Sequence, residues 1–217
     1  MIPGARLDLD PVELRVLGCL VEKQRTTPDQ YPLSLNGLRL ACNQATNRDP
    51  VVEYDESEIR DALHRLAGRG LTRLASGPTS RVAKYRHLFD EALSIDGAES
   101  TLLAVLMLRG PQTVGELKGR SERLHRFGDL AEVIRTLGRL AERELVVELP
   151  RRPGQKEERW AHLLAAGDAA APPAPDPDRH PAEPGVFEAS LEQRVARIEE
   201  RLAELEQLLP APPPADD

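Results

Sequence analysis

Residues 55–71, DESEIRDALHRLAGRGL, and residues 129–145, DLAEVIRTLGRLAEREL, are two copies of one text held at a constant spacing. Asp55 recurs as Asp129, Glu58 as Glu132, Ile59 as Val133, Leu63 as Leu137, Arg65 as Arg139, Leu66 as Leu140, Arg69 as Arg143 and Leu71 as Leu145. Further along the offset grows by one residue, so that Tyr85 answers to Trp160, His87 to His162 and Leu88 to Leu163. A one-residue insertion belongs in a turn, where length is free, and the chain reads as a tandem duplication.

Each copy opens on D-x-x-E, a capping box in which the Asp oxygen takes an orphan helix amide and the Glu reaches back to the cap. Ile59, Leu63 and Leu66, and in the second copy Val133, Leu137 and Leu140, follow at helical spacing and define one buried stripe. Leu71 to Ser76 and Arg81 to Leu88 then read as strands around a tip of Gly77, Pro78, Thr79 and Ser80. Their twins are Leu145 to Leu149 and Glu157 to Leu163, around Pro150 to Lys156.

Two more helices precede each unit. The first pair is Val12 to Gln24 and Leu35 to Gln44, the latter capped by Ser34. The second is Ala98 to Arg109 and Thr113 to Leu124, separated by Gly110-Pro111. Three helices followed by a hairpin is the winged helix-turn-helix order. The expected fold is therefore mainly α (α+β), with winged-helix domains at residues 1–90 and 91–166.

The remainder divides into a Pro/Ala-rich linker at 167–187, a short coiled-coil helix at 188–209 and a tail at 210–217. Leu191, Val195, Ile198, Leu202, Leu205 and Leu209 alternate spacings of four and three, a heptad seam. Arg194 facing Glu199 and Arg201 facing Glu206 favour a parallel dimer, so self-association is expected through this helix. The other reading of the same stripe is an amphipathic helix folded back on its own chain.

The net charge of −7 is unevenly placed: residues 1–89 carry 13 basic and 11 acidic side chains, residues 90–166 carry 12 and 13, and residues 167–217 carry 4 and 12. Both folded halves are near neutral, which neither forbids nucleic-acid binding nor announces it. Aromatics are 3% of the chain, so the cores must be aliphatic. No signal pattern is present, and the longest apolar run, Thr101 to Leu108, is too short to span a bilayer; a cytoplasmic protein without membrane contact is expected. Cys19 and Cys42 form no CxxC and read as reduced core thiols.

The segments Glu22-Lys23-Gln24, Thr26 to Ser34, Ala41 to Gln44 and Thr46 to Val51 closely resemble the YceH-like family of bacterial proteins. So do Arg81-Val82-x-Lys84-Tyr85, Leu108 to Thr113, Gly115-Glu116-Leu117, and Pro153-Gly154 leading to His162-Leu163-Leu164. The likeness runs over roughly residues 7–165 and implies tandem winged-helix domains; the family being uncharacterised, it implies no reaction. Arg25, where that resemblance leads one to expect an aliphatic residue, and Val114, where Pro is usual, depart from it.

Candidate DNA contacts follow from the expected fold. The third helix reads the major groove in such domains, and its polar face offers Arg60, His64, Arg65 and Arg69 in copy one and Arg135, Arg139 and Arg143 in copy two. The hairpins add Arg81 and Lys84, then Arg151, Arg152 and Lys156 around a Pro-Gly tip. Arg48, amid Asn43, Gln44, Thr46 and Asn47, is a fork for a backbone phosphate. The competing reading of Arg48 and its neighbours is helix capping and turn chemistry, and that of the third helices is a solvated charged face.

No HExxH, GxSxG or Walker pattern occurs and the five histidines are scattered, so no enzyme, cofactor or metal is expected. His87 and His162, being repeat-equivalent, read as packing residues. Double-stranded DNA bound by a transcriptional regulator is the leading functional expectation. A docking module for protein partners is the alternative.

Overall fold

A computed structural model describes residues 7–75, 82–151, 154–155 and 157–166. The hairpin-tip candidates Arg81, Arg152 and Lys156 lie outside the described residues, as do the linker at 167–187, the heptad positions Leu191, Val195, Ile198, Leu202, Leu205 and Leu209, and the tail at 210–217. Among the described residues the chain forms seven α-helices and two small antiparallel sheets.

The first half runs α1 (Pro11–Thr26), β1 (Leu33–Ser34), α2 (Leu35–Cys42), α3 (Glu56–Gly68), β2 (Thr72–Leu74) and β3 (Lys84–His87). A five-residue helix, α4 (Phe89–Leu93), leads to the second half: α5 (Gly97–Arg109), α6 (Val114–Ser121), α7 (Leu130–Glu142), β4 (Val146–Leu149) and β5 (Arg159–His162). Three helices and an antiparallel hairpin are thus built twice, with α2 matching α6 and α3 matching α7 residue for residue in length. Even the two-residue strand has a shadow. Leu33 pairs with Tyr85, and Gln112 bridges to Trp160, the repeat partner of Tyr85.

Local chemistry sets the helix starts. Asp10 accepts from the Glu13 amide at 2.8 Å while Glu13 accepts from the Asp10 amide at 2.9 Å; Asp96 and Glu99 repeat both bonds at the head of α5. Asp55 and Glu58 close the same box on α3. On α7, Asp129 caps the Glu132 amide, but Glu132 takes the Gly128 amide instead of the cap's own, so the expected second box is only half made. α2 stops at Cys42, two residues before its expected end, because Asn43 clips Tyr54 with two hydrogen bonds, Nδ2 to the carbonyl at 2.8 Å and the amide to Oδ1 at 3.0 Å.

α1 is buried continuously from Glu13 to Val21, and α5 from Glu99 to Leu108. A helix buried on all sides must be surrounded, and these two pack on each other as well as on their own repeats. Gly18 permits the approach: a Cβ there would lie 2.9 Å from Leu108 Cγ. The apolar interiors of the two copies are consequently one continuous cluster, in which each fully buried Leu contributes roughly 1.5–3 kcal/mol. The ends of this unit are also joined, as the Leu9 amide donates to Leu164 O at 2.9 Å and the Ala166 amide to Leu9 O at 3.0 Å. Both cysteines are free and buried, Cys19 donating to Ala41 O at 3.3 Å. No helix of the described residues is long and apolar enough to cross a membrane.

Candidate nucleic-acid interface

The third helices carry most of the candidate cations, and the structure sorts them by which way they turn. Arg65 turns inward to the head of α1, its Nη2 at 2.6 Å from Asp10 and its Nε at 3.3 Å from the buried Glu13. One turn on, Arg69 lies 3.8 Å from Glu13 and donates to Leu7 O and Asp8 O. Copy two repeats the arrangement. Arg139 lies 3.0 Å from both Asp96 and Glu99; Arg143 lies 4.0 Å from Glu99 and donates to Leu93 O and Ser94 O. Asp8 and Ser94, whose own and preceding carbonyls accept these bonds, are both left-handed, at φ 45° and 50°. The capping carboxylates therefore do two jobs: they start the first helix and anchor the third. The ion pairing with Glu99, its hydrogen bond foremost, raises the Arg139 pKa above the ordinary guanidinium value.

Arg48 does not present its fork to a phosphate. Its side chain is fully buried, bidentate on Glu22 at 2.5 and 3.1 Å, and it also donates to Ala41 O, Gln44 Oε1 and Asn47 O. Every N–H direction is occupied within the protein, an arrangement of the kind turn and capping chemistry makes. The density of Asn, Gln and Arg between 43 and 48 is the stitching that holds the connection at 43–54, which contains the cis peptide Asp49–Pro50, against α1.

What stays outward is a smaller set. Arg60 and His64 are exposed on α3, with Glu56 4.0 Å from Arg60. Lys84 is exposed on β3 and Arg135 on α7. Arg151, on the second hairpin, pairs with Glu158 at 3.0 Å. The same outer positions differ in kind between copies, since Glu56 and Arg60 are replaced by Leu130 and Ile134, which are 49% and 53% exposed.

The equivalent histidines are interior groups. His87 Nδ1 accepts from the Phe89 amide and His162 Nδ1 from the Leu164 amide, both at 3.3 Å. His87 Nε2 then donates to Gln24 Oε1 at 2.8 Å, while its amide donates to the Tyr31 hydroxyl. Burial pushes both imidazoles down to about 4, with Arg86 and Arg25 adding to the effect at His87. Among the described residues no group of three or more His, Cys, Asp or Glu is placed to hold a metal.

Sequence reasoning missed the partners of the third-helix arginines. A signal was present, because Asp10 and Glu13 recur as Asp96 and Glu99 in the same D-x-x-E spacing that marks the third helices. Arg25 likewise acquires a reason, lying 3.6 Å from Asp90 between α1 and α4.

A family model described as "Protein of unknown function, DUF480" matches residues 9–155. Similar chains include a UPF0502 protein of Solibacter usitatus, 50% identical over 199 residues, 91% of this chain and 92% of the relative. Another from Dechloromonas aromatica is 50% identical over 204 residues, 93% and 94% of the two chains. A third, from Geobacter sulfurreducens, is 51% identical over 173 residues, 76% and 78%. With the family model spanning both repeats and relatives matching nearly end to end, this chain belongs to the DUF480, or UPF0502, family of uncharacterised bacterial proteins.

Proposed function

We propose that this chain is a non-enzymatic cytoplasmic protein that binds double-stranded DNA through tandem winged helices, residues 1–90 and 91–166, as a transcriptional regulator would. The observation that carries the reading is the twice-built order of three helices and a hairpin, which leaves the outer face of each third helix open to solvent. In copy one that face holds Arg60 and His64, with Lys84 exposed on the hairpin; in copy two it holds Arg135, with Arg151 on the hairpin. Arg81, Arg152 and Lys156 extend the basic hairpins in sequence. The heptad segment at 188–209 would pair two chains and present two such surfaces to one duplex.

Retardation of random duplex DNA over a salt series tests it. Changing Arg60, His64 and Lys84 together to Ala should weaken binding and lower the salt slope by roughly one unit for each phosphate no longer engaged. An unchanged slope removes copy one from the interface, and no retardation at low salt removes the reading altogether.

One observation favours a second reading, docking of a protein partner. Leu130 and Ile134, an i, i+4 pair on the outer face of α7, are exposed where a base-reading helix would carry donors. Retained DNA binding in an Ile134→Glu variant, with loss of a co-purifying protein, would assign α7 to that role.

A further inference from the structure

Between the two copies lies a cleft of about 440 Å³, including its solvent-open part, that belongs to neither third helix. Its rim gathers Arg109 from the end of α5, Arg120 from α6 and Arg123 just beyond α6, while Val105, Leu108 and Leu124 form an apolar wall. The one carboxylate lining it, Glu22, is already held by Arg48 in a bidentate pair, with Lys23 at 3.9 Å. We infer that this cleft is a binding site for a small phosphorylated anion.

Three observations carry the inference. First, Arg109 donates to a neutral acceptor, Asn47 Oδ1, and Arg120 divides its fork between the neutral Gln112 Oε1 and Glu116 at 3.3 Å. Arg123 is exposed and takes part in none of the ion pairs formed among the described residues. Among the lining residues three cations, Arg109, Arg120 and Arg123, thus stand against one carboxylate, Glu22, which Arg48 already pairs. Second, Arg109 is half-buried beside Arg120, and both desolvation and that like charge lower its pKa. A dianion seated between the two forks would remove the repulsion and use the geometry that guanidinium offers to phosphate oxygens.

Third, the duplication supplies an internal control. The positions of Arg120 and Arg123, in and just after α6, correspond to Ala41 and Gln44 in copy one, counting from the caps Thr113 and Ser34. The shared scaffold therefore folds without cations at these sites, and their presence in copy two is not a requirement of the fold. Asn47, at φ 62°, is one of few non-glycine residues in the left-handed region, and it aims its side chain at Arg109 on the cleft floor. The apolar wall of Val105, Leu108 and Leu124 fits an anion that carries a short carbon body.

Isothermal titration of the full chain with inorganic pyrophosphate, against sodium chloride at matched ionic strength, tests the site. Saturable heat with one pyrophosphate per chain is expected, weakened about tenfold or more by Arg123→Gln and further by Arg109→Gln with Arg123→Gln. Arg123→Gln removes no intramolecular pair, so its unliganded melting temperature should match the parent and loss of binding cannot be blamed on folding. Arg60→Ala, on the proposed DNA surface, should leave the titration unaltered. A response that sodium chloride reproduces overturns the inference. So does displacement of pyrophosphate by random duplex DNA together with lost DNA affinity in the Arg109/Arg123 variant, which would make the cleft part of a nucleic-acid track. Because duplex binding is measured separately, failure of the DNA reading leaves this outcome independent.

Discussion

α3 and α7 are the same helix on the inside and different helices on the outside. Inward, both bury a Leu stripe, and both send two arginines one turn apart to the capping carboxylates and the last carbonyls before a first helix. Outward, α3 offers Glu56, Arg60 and His64, whereas α7 offers Leu130, Ile134 and Gly138 at the corresponding positions. After a duplication, positions that answer to the fold are held by the same packing in both copies, and positions that answer only to solvent or a partner are free to part. The arginines fall in the first class and the outer residues in the second, so a search for function belongs among the differences.

The connections before the third helices differ in the same instructive way. Copy one holds residues 43–54 with the buried Arg48 hub and the Asn43 clip; copy two holds its shorter link with buried Phe127, edge-on to His125 at 4.6 Å. One link is polar and the other apolar. Arg48→Ala should therefore produce the largest loss, about 3–5 kcal/mol, because it leaves the mostly buried Glu22 with only Lys23, 3.9 Å away, to offset its charge; urea unfolding measures it. A loss under about 1 kcal/mol would show that the hub is not what holds copy one's connection.

The pairs of equivalents give the next effects. His87 and His162 have folded pKa values near 4 against about 6.5 unfolded, so the unfolded chain binds more protons in between. Their contribution is complete above pH 6.5 and falls as pH drops toward 4, by up to about 3 kcal/mol for each. His162→Gln should flatten roughly half of that slope in a pH series of melting curves. A slope unaffected by that substitution would mean the His162 imidazole is solvated and protonates freely. Gly18→Val should cost about 1–3 kcal/mol by forcing α1 from Leu108, where a one-sided loss confined to copy one would break the idea of a shared core.

Arg65→Ala and Arg139→Ala should each cost roughly 1–2 kcal/mol, discounted because both side chains are nearly half exposed. Equal losses sharpen the equivalence of the two anchors; a negligible loss in one copy breaks it. The smallest effect belongs to the outer face, as Arg60→Ala should shift stability by less than about 0.5 kcal/mol. Its effect on DNA affinity would then report direct engagement of the duplex and not folding.

The architecture was legible because it rests on local and periodic signals. D-x-x-E followed by Ile59, Leu63 and Leu66 specifies a capped amphipathic helix wherever it stands, and its recurrence exposes the duplication. The candidate interface was far less legible. Arg65 and Arg60 look alike on a polar helix face, and only the fold brings Asp10, distant in sequence, to one of them. Arg48 is buried for a comparable reason, since its ligands Glu22 and Ala41 belong to two other helices. β1 and α4 escaped notice because two- and five-residue elements carry no period.

The bond between Leu9 and the Leu164 to Ala166 segment brings the beginning of the unit beside its end. Topologically, the two described ends of the unit nearly meet. A short linker from Ala166 to Leu7 should let the chain be reopened elsewhere, between Pro78 and Thr79 for instance, and the circularly permuted protein should still fold.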